Sequence, residues 1–199
     1  MSVNYPAGSR PKGKETFTRA PKKEKKHIPS AANRGMSFEA DINETNDYYR
    51  EMGLALITKR PTPINVVQVD YTHGQKITHA YFEKQSTTDY NGVIKGRYVD
   101  FEAKSTRNKT SFPLSNIAPQ QVRHLRDVKK HGGIAFFLIY IHALDKTFLL
   151  DADYVCDFYE QKPRKSIPFK DIEEHGHLVK EGYRPRYDFL PIVLELFFK

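Results

Sequence analysis

The carboxylates of Asp89 and Glu102 and the ammonium group of Lys104 form the most reactive set of side chains that the sequence predicts to meet. Residues 97–104 alternate between polar and apolar types, which is typical of a β-strand whose successive side chains point to opposite faces. On such a strand Glu102 and Lys104 share a polar face with Asp100, and the apolar residues between them face a core. The alternation therefore predicts a carboxylate beside an ammonium group.

The connection between Asp89 and this strand contains two turn signals, Asn91-Gly92 and Lys95-Gly96. Asn-Gly is a strong hairpin signal, because both residues tolerate a positive φ. A turn there would fold Asp89 back beside Glu102, which lies thirteen residues further along the chain. Two carboxylates would then converge with one lysine.

Paired carboxylates with a lysine suit metal-dependent cleavage of a phosphodiester. Mg²⁺ prefers hard oxygen ligands and keeps several waters, and we expect that Mn²⁺ can substitute for it. Asp89 and Glu102 are the predicted ligands for this ion. Lys104 is predicted to stabilise the charge that develops on the phosphate in the transition state.

The alternative interpretation is a solvated strand face that carries an ordinary ion pair. An acidic-x-Lys triplet is not specific, because others begin at Glu24, Asp127 and Glu160. Those copies lie in a charge run or in helix-like polar surroundings. The Glu102 triplet differs because it lies on a strand with an apolar opposite face and has an acid upstream, near a turn.

The residues around this set resemble the RecU family of Holliday junction resolvases, within the PD-(D/E)xK nuclease superfamily. The segments that carry the resemblance are 33–36, 59–63, 86–92, 95–98 and 109–114. The resemblance covers about residues 30–199. The RecU family departs from the proline of the superfamily motif, and this chain does as well, since Thr88 precedes Asp89.

The resemblance implies a restriction-endonuclease-like α/β fold, with a mixed β-sheet flanked by helices and a protruding β-hairpin stalk. It implies a Mg²⁺-dependent endonuclease that resolves Holliday junctions by paired symmetric nicks during recombination and repair. Thr87 and Gln121 would complete the metal shell of Asp89 and Glu102, with Lys104 as the transition-state stabiliser. The implied partners are four-way branched DNA, a second copy of the chain and other recombination proteins, since a two-fold junction needs two active sites.

Charge and composition divide the chain into two parts. Residues 1–34 hold nine Lys or Arg and two Glu, a net charge of +7 out of +8 for the whole chain. We predict a basic flexible arm over 1–32 and a nuclease domain over 33–199, with the stalk at about 61–84. The arm would grip phosphates in a salt-dependent way, and the alternative is a solubilising tail.

Five basic residues outside the predicted arm are predicted to contact DNA. Arg34 lies at the start of a helix predicted from Asn33 to Gly53, and Arg60 and Lys76 belong to the stalk region. The remaining two, Arg107 and Lys109, lie in a polar loop that follows the strand predicted over residues 97–104. The alternative for each is an ordinary surface charge.

Hydrophobic patterning predicts the remaining elements. Residues 54–57 are predicted to form a central, largely buried strand, and residues 64–71 and 77–84 a long hairpin. A helix opens at 117–119 and stops at 132–133, and residues 133–141 and 147–150 form strands. Further helices are expected near 152–159, 169–174 and 190–198. The last is apolar nearly all round and would pack in the core or against a second copy.

Several classes of protein are disfavoured by the same sequence. No apolar run is long enough for a membrane span, and the polar N-terminus lacks the apolar stretch of a signal peptide. Cys156 is the only cysteine, so no intrachain disulfide can form, and its place in a predicted helix indicates a small core residue and not a nucleophile. We expect a bacterial cytoplasmic, nucleoid-associated enzyme. The alternatives are a non-catalytic branched-DNA-binding protein that regulates recombination complexes, and a sequence-specific restriction enzyme.

Overall fold

The computed structural model describes residues 31–72, 74–82, 87–161 and 164–198, and the side chains of 31–37 are not among the described parts. Most of the predicted arm therefore lies outside the described residues. The helices are α1 (Ala31–Glu51), α2 (Pro119–Lys130), α3 (Ala152–Glu160), α4 (Phe169–His175) and α5 (Leu190–Phe197). The first six strands are β1 (Leu56–Lys59), β2 (Ile64–Asp70), β3 (Lys76–Phe82), β4 (Tyr90–Ile94), β5 (Arg97–Thr106) and β6 (Ser111–Pro113). The others are β7 (Ile134–Ile141), β8 (Lys146–Asp151), β9 (Ser166–Pro168), β10 (His177–Leu178), β11 (Lys180–Glu181) and β12 (Tyr187–Asp188).

A six-stranded mixed sheet in the order β1-β4-β5-β7-β8-β10 forms the centre of the protein. The pair β5 and β7 is parallel, whereas the neighbouring pairs on both sides are antiparallel. The parallel pair is central and buried, because α2 crosses over between its two strands. The mixed α/β fold predicted from the sequence is confirmed.

Helices cover both faces of this sheet. On one face α1 and α5 enclose a cluster in which the Phe101 ring stacks between Tyr90 and Phe136, at centroid distances of 4.8 and 4.7 Å. On the other face α2, α3 and α4 pack over a second cluster that includes Phe137 and the fully buried Cys156. The expected core role of Cys156 is confirmed, and burial raises the pKa of its thiol to about 12.

The β2–β3 hairpin forms a two-stranded sheet of its own, apart from the central sheet. Its pairing runs from Ile64 opposite Phe82 to Asp70 opposite Lys76, which confirms the predicted hairpin. All seven residues of β3 are exposed to solvent, Phe82 to 78%. The hairpin therefore stands out from the core.

One predicted feature near the hairpin is wrong. Residues 54–57 do not form a central buried strand, because β1 begins at Leu56 and is the edge of the sheet. Leu56 is 53% exposed, whereas its neighbour Ile57 is buried. The helix predicted from near Asn33 to Gly53 is confirmed as α1, Ala31–Glu51.

The turn that brings Asp89 back to β5 lies at Lys95-Gly96 and not at Asn91-Gly92. Lys95 and Gly96 both have positive φ, 45° and 78°, as a tight two-residue hairpin turn requires. Asn91 and Gly92 are paired residues of β4. Gly92 is needed for another reason, because a Cβ there would overlap the backbone of the adjacent β1 and lie 2.7 Å from the Cα of Ile57.

None of the helices in the described part of the chain is both long and apolar enough to cross a membrane.

Candidate active site

The antiparallel pair β4 and β5 brings the predicted catalytic residues together. Tyr90 lies opposite Phe101, so Asp89, one residue before Tyr90, reaches the level of Glu102. The backbone N–H of Asp89 donates to Oε2 of Glu102 at 3.1 Å, and the N–H of Ala103 donates to Oδ2 of Asp89 at 3.3 Å. The convergence of the two acids follows from this register.

Three groups surround the carboxylate of Glu102. In addition to the Asp89 N–H on Oε2, its Oε1 lies 2.6 Å from Nζ of Lys104 and accepts from Nε2 of Gln121 at 2.6 Å. The Glu102 side chain has no exposure to solvent. The motif face of β5 was expected to be a polar surface, but helix α2 covers it and Asp100 and Glu102 are both buried.

The pKa of Glu102 is raised to about 8, first by burial and next by the nearby charge of Asp89, against the opposing effect of Lys104. Desolvation penalises an ionised carboxylate, and a second carboxylate adds repulsion. One lysine therefore does not compensate the two acids. When both carboxyls are ionised, the site carries an excess of negative charge that a bound cation would offset.

Asp89 and Lys104 line a cavity of about 400 Å³, together with Phe38, Glu39, Ser105 and Asn116. Glu39 forms an ion pair with Lys59 at the exposed edge of this region. Lys104 is 22% exposed, so its ammonium group can reach a molecule in the cavity while it contacts Glu102. The cavity gives Asp89 and Lys104 access to a substrate.

The two residues assigned to the metal shell by resemblance have different surroundings. Gln121 is buried in the first turn of α2, where its side-chain oxygen accepts from the Ala118 N–H at 2.9 Å and its nitrogen faces Glu102. Thr87 is partly exposed and lies two residues before Asp89. Both ligand roles stay predictions.

Asp100 is the centre of a buried cluster that sequence reasoning missed. Its Oδ2 lies 2.6 Å from Nη2 of Arg60, 2.7 Å from the Tyr98 hydroxyl and 2.8 Å from Nε2 of His124, and its Oδ1 accepts from the Thr88 hydroxyl. Burial alone would raise the pKa of Asp100, but these hydrogen bonds and the Arg60 charge outweigh it and lower the pKa. Asp100 and Tyr98 share a strand face, and that spacing was the available local signal.

The residues predicted to bind DNA lie in different settings. Lys76 is exposed at the start of β3, and Arg107 and Lys109 are exposed in the loop after β5. Arg60 is only 24% exposed, and its guanidinium contacts Asp100 and Tyr98. The side chain of Arg34 lies outside the described parts. Phosphate contacts by these five residues stay predictions.

The donor set of the site fits a magnesium ion. Asp89 and Glu102 offer hard carboxylate oxygens, and a cation would offset the repulsion that raises the pKa of Glu102. Within the described ranges, no group of three or more His, Cys, Asp or Glu side chains is arranged to hold a metal. Two carboxylates are sufficient for Mg²⁺, which usually keeps several waters and binds substrate phosphate oxygens.

A mixed sheet that carries a carboxylate pair and a lysine beside an open cavity is the arrangement expected of a nuclease site. The family model described as recombination protein U, RecU, matches residues 33–195. A Holliday junction resolvase RecU of Geobacillus kaustophilus is 45% identical over 203 residues, which cover 100% of this chain and 99% of the relative. One of Lactococcus lactis subsp. cremoris is 45% identical over 212 residues, with 98% of each chain covered. The chain belongs to the RecU family.

Among solved structures, the Holliday junction resolvase Hjc of Archaeoglobus fulgidus resembles this chain with a TM-score of 0.42 and 10% sequence identity. The comparison covers 72% of this chain and 94% of that chain.

Proposed function

We propose that this chain is an endodeoxyribonuclease that resolves Holliday junctions by paired symmetric nicks in homologous recombination and DNA repair. The observation that carries the proposal is the contact of Glu102 with both Asp89 and Lys104 beside the cavity. Membership of the RecU family supports the same conclusion, because relatives that align over almost the whole chain are named Holliday junction resolvases.

The chemistry assigns a separate task to each side chain. Asp89 and Glu102 would hold Mg²⁺, which supplies Lewis acidity at the phosphate and lowers the pKa of attacking water. The ammonium group of Lys104 would donate to a phosphate oxygen and stabilise the charge that builds up there. Gln121 orients Glu102 through the hydrogen bond from its amide nitrogen. The resemblance implies Thr87 and Gln121 as further metal ligands, and for Gln121 that role would require its amide oxygen to leave the Ala118 N–H.

The assembly follows from the symmetry of the substrate. A four-way junction has two-fold symmetry, and paired nicks need two active sites, so we propose that the chain acts as a homodimer. The exposed β2–β3 hairpin and the basic residues Lys76, Arg107 and Lys109 would contact the branched DNA. Further recombination proteins would be partners, and the enzyme would act in the bacterial cytoplasm on the nucleoid.

Cleavage of matched substrates tests this function. A synthetic four-way junction and a linear duplex that contains the same sequences are incubated with the full chain, in Mg²⁺, in Mn²⁺ and in EDTA. The proposal predicts paired cuts at symmetric positions of the junction in either metal, with no cuts in EDTA. Tight junction binding without cuts in any divalent ion would instead support a non-catalytic binding protein. Cuts at one sequence in the linear duplex would support a restriction enzyme.

A further inference from the structure

Both ends of the β2–β3 hairpin join the body of the protein at one buried carboxylate, that of Asp100. Arg60, four residues before β2 begins, donates from Nη2 to Oδ2 of Asp100 at 2.6 Å. Thr88, six residues after β3 ends, donates its hydroxyl to Oδ1 of the same carboxylate. One side chain therefore holds the chain where it enters the hairpin and where it returns.

The residues that bind Asp100 also hold Asp89. The backbone N–H of Arg60 donates to the carbonyl oxygen of Asp89 at 2.8 Å, and Thr88 is the residue directly before Asp89. The carboxylate of Asp89 is fixed from the other side by the N–H of Ala103. A displacement of Arg60 or Thr88 would therefore displace a predicted metal ligand.

The body of the protein fixes Asp100 firmly. Tyr98 on β5 and His124 on α2 both contact Oδ2, at 2.7 and 2.8 Å, and the Asp100 side chain has no exposure to solvent. A buried carboxylate is very costly unless it is paired and hydrogen-bonded, so it strongly favours one arrangement of its donors. The cluster is thus a stiff joint between the hairpin ends and the central sheet.

On the entering side, the connection between Arg60 and the hairpin is restricted as well. Pro61 and Pro63 separate Arg60 from β2, and each proline ring fixes its own φ angle. A rotation of the hairpin is therefore passed on to Arg60 to a larger extent than a flexible linker would allow.

We propose that Asp100 is a positioning residue that couples the orientation of the β2–β3 hairpin to the placement of Asp89. DNA that engages the hairpin would thereby set the geometry of the metal site. Asp100 itself touches neither metal nor phosphate in this scheme. The expected effect of this coupling on cleavage rests on the proposed function. The link between the hairpin and Asp89 can be tested without cleavage.

Variants that break one contact at a time test the cleavage consequence. Thr88→Val removes the hydroxyl at nearly constant volume, Arg60→Met removes the guanidinium, and Asp100→Asn removes the charge. Thr88→Ser keeps the hydroxyl and is the conservative variant that should rescue the rate. Glu195→Gln, which changes an exposed acid on α5, is the control. We expect the first three to lower the single-turnover rate on junctions by ~10–100-fold and to raise the Mg²⁺ concentration for half-maximal rate. Junction affinity of Thr88→Val and Asp100→Asn in EDTA should stay within about twofold of wild type, which shows that the fold is intact, whereas Arg60→Met also removes a predicted DNA contact and is compared by its Mg²⁺ dependence.

Hydrogen exchange tests the mechanical link in metal-free protein. The amides of Arg60 and Ala103 both donate to Asp89, so we expect slower exchange at both when wild type binds a junction in EDTA. In Thr88→Val, which keeps the Asp100 charge and packing, we expect faster exchange at both. Because this exchange measurement uses Thr88→Val, the test remains decisive even if Asp100→Asn fails to fold.

Two results would overturn the coupling. The first is wild-type rate and Mg²⁺ dependence in Thr88→Val and Arg60→Met, in an assay where wild type cuts. The second is unchanged exchange at the Arg60 amide when wild type binds a junction. A wild-type protein that never cuts, but shows the expected exchange, would overturn the proposed function and leave the coupling supported.

Discussion

Gln121 donates from Nε2 to Oε1 of Glu102 at 2.6 Å, which joins the first turn of α2 to β5. The oxygen of the same amide accepts from the Ala118 N–H at 2.9 Å, so the side chain is held at both ends. Direct metal binding by the Gln121 oxygen would require the amide to leave Ala118. In the arrangement described here, Gln121 orients the Glu102 carboxylate.

Replacement of Gln121 should therefore weaken the metal site without loss of DNA binding. We expect Gln121→Ala to reduce metal affinity or cleavage rate by ~10–100-fold, as is usual for groups that orient a metal ligand. Mg²⁺ titration of single-turnover cleavage measures both effects. Gln161→Ala, an exposed glutamine after α3, is the matched control. Unchanged Mg²⁺ dependence in Gln121→Ala would contradict the orienting role.

Lys104 should act on the rate and not on DNA affinity. Its Nζ lies 2.6 Å from Glu102 and it lines the cavity, so Lys104→Met removes a donor from the reacting phosphate. We expect the single-turnover rate to fall by ~10²–10³-fold, a typical effect of losing one stabilising donor. Lys170→Met, an exposed lysine on α4, should cut at the wild-type rate. A fall in junction affinity that accounts for the whole loss would assign Lys104 to binding instead.

The raised pKa of Glu102 predicts a pH-dependent stability of the metal-free protein. Between about pH 4.5 and pH 8 the folded protein holds a proton that the unfolded chain releases. Stability falls with pH wherever the folded state binds more protons, so the free energy of unfolding should decrease across this window and level off above it. Urea unfolding in EDTA from pH 5 to pH 9 measures the slope, and Glu102→Gln should remove part of it.

Metal binding should show the opposite trend with pH. A carboxylate must lose its proton to bind Mg²⁺, so apparent affinity should rise by up to ~10-fold per pH unit below the pKa of Glu102, about 8, and flatten above it. Isothermal titration calorimetry in buffers of different ionisation enthalpy would detect the released proton. Binding of Mg²⁺ that is independent of pH between 6 and 8 would contradict this linkage.

Replacement of either Gly92 or Gly96 by alanine should destabilise the protein, and the physical reason differs between the two positions. Gly92→Ala places a Cβ against the β1 backbone, 2.7 Å from Ile57 Cα, and should destabilise the protein by about 1–3 kcal/mol through overpacking. Gly96→Ala meets no atoms within 4 Å, and its cost of about 1–2 kcal/mol comes from the positive φ of 78°. Gly92→Ala should also reduce cleavage, since β1 leads directly into Arg60, whereas Gly96→Ala should spare it. Urea unfolding and junction cleavage together separate the two effects.

Local sequence was sufficient for the acid–lysine set, because strand alternation places Glu102 and Lys104 on one face whatever surrounds them. It misplaced the turn, because Asn91-Gly92 has the strongest turn propensity, yet Gly92 is required by the close approach of β1. Residues 54–57 were misjudged for a related reason. An apolar stretch does not reveal whether a second neighbour will pair with it, and among the described strands β1 pairs with β4 alone.

The Asp100 cluster could not be predicted from local patterns, because its members are distant in the chain. Arg60 lies 40 residues from Asp100 and His124 lies 24 residues from it, and contacts over such separations depend on the sheet order. Thr87 and Gln121 entered the predicted site through resemblance alone. Spacing gives no reason to choose a turn hydroxyl or a helix amide among many.

The assigned active site is tested most directly by the cleavage of a four-way junction by Asp89→Asn, compared with wild type and the Glu195→Gln control. Asp89→Asn keeps the size of the side chain and removes one of the two carboxylates that would hold the metal. We expect the control and wild type to make paired, symmetric, Mg²⁺-dependent nicks, and Asp89→Asn to bind the junction with equal or greater affinity and make none. Nicks by Asp89→Asn at the wild-type rate would contradict the assignment of the active site to Asp89, Glu102 and Lys104.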